Sequence, residues 1–387
     1  MRTVGIQAAT LALVIGACSA SPGNSQQPPA AAGGAQPFTV QQVADFTAPW
    51  AMTFLPGRGN QALVTEKGGK LFLVDVGSGQ RQEVSGVPAN IRVAGQGGLG
   101  DVAAAPDFAK SGTIYLSFAE GEGDLSGAAL GLGRLVLDGG APRLEGFRVI
   151  WRQAPKVTGG GHYSHRIAFG PDGKLYVSSG ERQKFDPAQD ENGNLGRIVR
   201  LNRDGSVPAD NPWTSRGGVG AQAFTMGNRN VLGFAFAPDG RLWGAEMGPA
   251  GGDEFNLLER GSNYGYPIVS DGDHYDGRVI PDHSTRPEFN APEIVWTPVI
   301  SPSSMIFYSG QDFPEWRGQA LIGGLSSQGI VRVAINGNTA REVGRVPMNA
   351  RIREVEQGPN GELYVLEDER NSSQGRLLRL VPAQARR

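Results

Sequence analysis

Four histidines occur in the chain, His162, His165, His274 and His283, and two of them share one short segment, Gly160-Gly161-His162-Tyr163-Ser164-His165-Arg166. An imidazole beside a carboxylate makes a general base near neutral pH, because the carboxylate fixes the tautomer and stabilises the imidazolium that forms. A carboxylate follows in Ser178-Ser179-Gly180-Glu181. His162 reads equally as a structural histidine, and His-x-x-His on a loop is a weak metal signal with no third ligand of similar character nearby. Further on, Met226-Gly227-Asn228-Arg229-Asn230-Val231 offers a donor fork and an amide. Glu246-Met247-Gly248-Pro249-Ala250-Gly251-Gly252-Asp253-Glu254 gathers carboxylates and carbonyls in a Gly-rich turn. Oxygen ligands of this kind suit Ca²⁺, although the loop taken alone reads as a solvated acidic turn. Arg351 and Arg353 alternate on a strand and so share a face, which would bind an anion bidentately if it carries a carboxylate. Brought to one place, these groups suit a small, multiply anionic cofactor held with Ca²⁺ beside a base.

The elements that would bring them together are short strands. Gly is very high at 58 residues and Pro is 26, and neither suits long helices, so the composition points to an all-β fold with many turns. Three copies of one hairpin are plain: Ala168–Val177 around Pro171-Asp172-Gly173, Ala235–Trp243 around Pro238-Asp239-Gly240, and Gly358–Val365 around Pro359-Asn360-Gly361. Asp-Gly and Asn-Gly tolerate the positive φ that a tight hairpin needs. Weaker copies fit at Met52–Thr65, Ala105–Leu116 and Met305–Ile322. Repeats spaced by roughly 45 to 75 residues suit four-stranded blades, so six of them predict a six-bladed β-propeller around a central channel. The alternative is a β-sandwich with unrelated Asp-Gly turns. In a propeller the loops at one channel mouth carry function, and the segments above lie just off the repeats.

Gly95-Gln96-Gly97-Gly98-Leu99-Gly100 matches a dinucleotide-binding fingerprint in letters only. That reading needs a helix opening at the last glycine, whereas Asp101–Ala105 meets Pro106 almost at once and suits a strand entering a blade. Gln96 is the polar group this run presents. A formal net charge of −2 gives no electrostatic case for nucleic acid. The single cysteine, Cys18, excludes an internal disulfide. It ends an apolar run from Val4 to Ala17 behind Met1-Arg2, the pattern of an export signal, and Ile15-Gly16-Ala17-Cys18 resembles the bacterial lipobox. Residues 1–17 are therefore expected to be a lipoprotein signal peptide, residues 18–37 a flexible tether rich in Pro, Gln and small residues, and residues 38–387 the propeller. A lipidated Cys18 implies a periplasmic protein anchored to the outer membrane; cleavage after Ala20 would instead release it.

The ordered set of Pro49-Trp50-Ala51-Met52, Gly95–Leu99, the His162 segment, Ala188-Gln189-Asp190, Gly196–Asn202, Asp204–Pro208, Arg229-Asn230, Gly248-Pro249, Gly252-Asp253-Glu254, Asn263–Pro267 and Arg351-Ile352-Arg353 resembles the soluble pyrroloquinoline-quinone (PQQ)-dependent sugar dehydrogenases, the glucose/sorbosone dehydrogenase family. The resemblance spans nearly all of residues 48–382. It implies oxidation of an aldose at C1 to a lactone, with His162 as base, Glu181 orienting it, hydride passing to PQQ, and an electron acceptor other than oxygen. It also implies that Gln96, Arg229, Asn230, Arg351 and Arg353 contact PQQ, that Gly248 and Pro249 hold its Ca²⁺ through backbone carbonyls, and that Asp253, Glu254 and Tyr264 form a second, structural Ca²⁺ site. Three departures stand out: Ser326 occupies the place of a cofactor-binding lysine, His165 replaces a small residue, and Val231 replaces a proline. The alternatives are a lipid-anchored binding propeller that has lost PQQ, and a Ca²⁺-dependent propeller lactonase. The insertion Ser270–Pro292 could shape the substrate pocket but reads first as a solvated loop.

Overall fold

A computed structural model describes residues 37–371 and 373–383, so Cys18 and the export segment lie outside the described residues. Six antiparallel sheets form the predicted six-bladed β-propeller. The innermost strands are Pro49–Phe54, Leu99–Ala104, Ser164–Phe169, Val231–Phe236, Pro302–Phe307 and Ile352–Gln357, and each packs against the next in a closed ring. The ring is closed by the chain ends. Phe38–Asp45 pairs antiparallel with Arg376–Pro382, so the N-terminal strand becomes the outermost strand of the sixth blade. Closure of this kind leaves no open edge between first and last blade.

The predicted turns sit at one end of the ring. Gly173, Gly240 and Gly361 adopt φ of +72°, +85° and +93°. Asp172 and Asp239 accept from the backbone N–H two residues on, at Lys174 (3.0 Å) and Arg241 (3.1 Å). The core is six apolar layers, each shared by two neighbouring blades. Between the second and third, Tyr115, Leu130 and Trp151 meet Leu175, Val177 and Val199; between the fifth and sixth, Leu321 and Ile330 meet Val355, Leu363 and Val365. Because a blade is buried on both faces, its second strands read as continuous apolar runs such as Leu175–Val177 and Ala320–Ile322.

All six inner strands carry a register shift at the same end, between Pro49 and Ala51, Leu99 and Val102, Ser164 and Ile167, Val231 and Gly233, Pro302 and Ser304, and Ile352 and Glu354. A bulge leaves a residue out of the ladder and re-aims its side chain. Trp50, His165, Leu232 and Arg353, all at bulges, line the cavity at that end, and Asp101 and Arg166 line the channel beyond it. No helix among the described residues is long and apolar enough to cross a membrane.

Candidate active site at the bulged mouth of the channel

Antiparallel pairing sets which residues can meet here. The start of each inner strand lies beside the end of the second strand of its blade. The mouth is therefore built from residues just before or at the start of inner strands (His162 to His165, Arg229, Asn230, Arg351) and just after second strands (Lys67, Glu181, Met247, Gly248, Asp368). A cavity of about 210 Å³ opens there, lined among others by Trp50, Lys67, Gln96, His165, Arg351 and Arg353.

His162 and Glu181 meet at this end. Nδ1 of His162 makes a short hydrogen bond to Oε1 of Glu181, with both side chains buried. The other carboxylate oxygen accepts from the backbone N–H of Lys184 (2.6 Å) and Phe185 (2.9 Å). Burial works against ionisation of Glu181, but the bond from His162 and the backbone donors outweigh it and hold its pKa below the usual range. Burial lowers the pKa of His162, and Glu181 opposes this without reversing it, so the imidazole is neutral at neutral pH. With Nδ1–H given to the carboxylate, Nε2 is left as the basic nitrogen.

The loop carrying His162 is held from three sides. Gln96 Oε1 accepts from His162 N at 2.8 Å. Arg182 lies over the Tyr163 ring at 3.7 Å and donates to the carbonyls of Gly161 (2.7 Å), Gly159 (2.6 Å) and Ser126 (2.5 Å). Ser164 Oγ donates to Asn230 Oδ1 at 2.9 Å. His162, Ser164, His165, Arg182, Gln183 and Phe185 all have φ between +47° and +65°, so this dense network maintains a run of costly backbone conformations next to the base.

Arg229 is anchored by its backbone and by its fork. Its N–H and that of Asn230 reach Glu246 Oε1, its carbonyl accepts from Glu181 N (2.9 Å), and Nη1 donates to the carbonyls of Met247 (2.9 Å) and Gly248 (2.6 Å). Its Nε is buried with no hydrogen-bond partner. Arg351 and Arg353 both reach Asp368 Oδ2, at 2.9 and 3.2 Å, so the pair shares one carboxylate and still lines the cavity. Ser326 donates to the Val299 carbonyl (2.9 Å).

The acidic loop divides into different environments. Glu246 is buried, and burial followed by the charge of Glu254 pushes its pKa up to about 8. Asp253 staples the loop, accepting from the N–H of Gly248 (2.9 Å) and Ser301 (2.6 Å). The Tyr264 hydroxyl turns away to Leu257 O and Glu259 N, leaving its main-chain carbonyl toward the loop, where His283 Nε2 donates to it at 3.0 Å. His283 Nδ1 faces Asp271 Oδ2 at 2.7 Å, and Glu254, Asp271 and His283 present ligand atoms within 4.8 Å of one another. Burial resists a charge on His283, but Asp271 and Glu254 outweigh it and push its pKa up to about 9. The insertion reaches the mouth: the 75% exposed Tyr275 lies 5.9 Å from the Arg229 guanidinium, and His274 packs edge-on against Phe185.

In the cavity wall, Trp50 stacks on the His165 ring (5.0 Å), and the Arg166 guanidinium lies 4.0 Å from the Trp50 ring. Burial lowers the pKa of His165 to about 3, so it is a neutral ring bonded to Ser117 Oγ at 2.8 Å. Arg166 pairs with Glu354 and sits 3.5 Å from Asp101. Lys67 and Arg182 were not legible as site residues. Their only signal is position, directly after a second strand or one residue beyond Glu181, and that acquires meaning once the blades are assembled.

The model of the family described as Glucose / Sorbosone dehydrogenase matches residues 46–379. The chain is 39% identical over 342 residues to the aldose sugar dehydrogenase YliI of Escherichia coli K12, covering 86% of this chain and 90% of that one. It is similar to the apo crystal structure of the soluble aldose sugar dehydrogenase from E. coli, with a TM-score of 0.83 and 37% identity over 89% of this chain and 99% of that one. The PQQ-bound aldose sugar dehydrogenase of Streptomyces coelicolor aligns with a TM-score of 0.73 and 25% identity over 90% of this chain and 99% of that one. The chain belongs to the glucose/sorbosone dehydrogenase family.

Proposed function

We propose that this chain is a PQQ- and Ca²⁺-dependent aldose dehydrogenase that oxidises the sugar C1 hydroxyl to a lactone, with His162 as general base. The observation that carries the reading is the buried His162–Glu181 pair beside a mouth rich in Arg and Lys. The donor chemistry suits a tricarboxylate: Arg351 and Arg353 line the cavity, and the unpartnered Arg229 Nε is a buried donor lacking an acceptor. Gln96, Arg229, Asn230, Arg351 and Arg353 would hold PQQ. The Gly248 and Pro249 carbonyls are hard oxygen donors that would hold its Ca²⁺; in the structure the first accepts from Arg229. A structural cation at Glu254 and the Tyr264 carbonyl would have to share that cluster with the His283 imidazole. The chemistry supplied by bound PQQ is acceptance of the hydride from C1.

The chain's own residues account for the proton. Nε2 of His162 takes the proton of the C1 hydroxyl, and Glu181 stabilises the imidazolium through Nδ1–H. Gln96 and Arg182 keep the loop, and so the basic nitrogen, in place. A lactonase reading is not favoured, because the axial acids Asp101 and Glu354 are tied to Arg166 rather than grouped as a metal cage. Export with lipid attachment at Cys18 would put the propeller at the outer membrane; fatty-acid labelling lost in Cys18→Ser checks this.

The test is reconstitution with PQQ and Ca²⁺, following reduction of an artificial dye with a panel of aldoses. Dye reduction that needs PQQ and disappears in His162→Ala, with PQQ binding retained, is the expected result. Absence of both activity and micromolar PQQ binding would overturn the reading.

A further inference from the structure

We propose that Lys67, seated by the Gly95–Gly100 run, is a cofactor-binding cation of the mouth that takes a carboxylate of the anionic cofactor. The inference rests on the PQQ reading and adds a residue to it. Lys67 directly follows the second strand of the first blade, Gln61–Glu66, the position that also brings Glu181 and Gly248 to the mouth from other blades.

Its side chain is placed rather than loose. Lys67 N donates to the Ala48 carbonyl (2.9 Å), the Lys67 carbonyl accepts from Leu99 N (3.1 Å), and Nζ donates to the Gly95 carbonyl (2.5 Å). A Cβ on Gly98 would come within 2.6 Å of Lys67 Cγ and 2.3 Å of its carbonyl oxygen. Any other residue there would push the lysine stem aside. The Gly-rich run that mimics a dinucleotide fingerprint therefore has a packing use, in which it clears the space across which Lys67 lies.

An ammonium has three N–H donors, and Gly95 uses one. Asp368, the acid on the same wall, is already shared by Arg351 and Arg353, and Lys67 makes no ion pair among the described residues. The cavity is lined by four cationic side chains, Lys67, Arg351, Arg353 and Arg370, against the two acids Asp368 and Glu369. After burial, the charges of Arg370 and Arg353 are what lower the Lys67 pKa, so the wall carries positive charge that a bound anion would relieve. Ser326, by contrast, is spent on the Val299 carbonyl.

The test is calorimetric titration of PQQ into the Ca²⁺-supplemented apoprotein at low and moderate salt, for wild type, Lys67→Gln and Lys67→Arg. Glutamine keeps a donor for the Gly95 carbonyl and removes the charge. Loss of a charge-assisted contact predicts about 10- to 100-fold weaker PQQ binding in Lys67→Gln and a shallower salt dependence. Lys67→Arg should stay within a few-fold of wild type with its salt dependence intact. PQQ binding by Lys67→Gln within twofold of wild type, at both salt levels, would overturn the assignment while leaving the PQQ reading standing. A wild-type protein that does not bind PQQ overturns both.

Discussion

Replacing Glu181 by glutamine tests the base directly, because the change keeps the side chain's shape and removes its charge. In the structure Oε1 of Glu181 receives the Nδ1 proton of His162, while Oε2 receives two backbone N–H groups. The imidazolium exists only once the sugar proton has been taken, so stabilisation by the carboxylate falls on the transition state. A charge-assisted hydrogen bond of about 1.5–3 kcal/mol corresponds to a loss of about 10- to 150-fold in kcat. Dye reduction at saturating sugar measures kcat, and calorimetry measures PQQ affinity, which should change little. The pH profile adds a signed expectation. The base must be neutral and its pKa is held below the ordinary 6.5, so wild-type activity should persist as pH falls through 6.5 and decline only below it. Glu181 is what raises that pKa against burial, so the acid limb of Glu181→Gln should lie lower still. A kcat within twofold of wild type, or a loss seen entirely in PQQ affinity, would refute the assignment of Glu181 as the partner of the base.

Arg166→Met should destabilise the fold by about 3–5 kcal/mol in urea denaturation at pH 8, since it strands Asp101 and Glu354 in the channel; a change under about 1 kcal/mol would count against that pairing. Gly100→Ala would place a Cβ 1.8 Å from Cε1 of His165, which predicts a loss of about 1–3 kcal/mol. Adding His165→Gly should recover part of it, because that change vacates the space at a residue with φ of +53°. His165 titrates near 3 when folded and near 6.5 when unfolded, so the unfolded chain binds the extra proton between those values. Its contribution to stability is therefore present above pH 6.5 and lost as pH falls toward 3, and His165→Gln should show a shallower decline over that window.

Much of the architecture was readable because a tight hairpin has a local cause. Pro-Asp-Gly and Pro-Asn-Gly between short apolar runs mark turns whose glycine takes positive φ, and Gly173, Gly240 and Gly361 do so. The closing strand Phe38–Asp45 was not readable as part of a blade, because its partner Arg376–Pro382 lies at the other end of the chain. The insertion Ser270–Pro292 was expected to be solvated, and most of it is polar. Tyr275 nonetheless reaches the Arg229 guanidinium, a contact within the fourth blade between its long loop and the approach to its inner strand, 46 residues apart, that no local pattern encodes.

The site divides in the same way. Residue types alone nominated His162 with Glu181, Arg229 with Asn230, and Arg351 with Arg353, because base, donor fork and paired cations are properties of side chains and their spacing. Which groups remain available for a ligand was decided by the assembled ring. Packing stacks His165 on Trp50 as a neutral ring, gives Asp253 to two backbone N–H groups, ties Arg351 and Arg353 to Asp368, and delivers Lys67 to the mouth. The physical reason is that turn and strand preferences act within a few residues. The mouth is made where six inner strands bulge and their antiparallel neighbours end, a place defined by pairing between segments far apart in the chain.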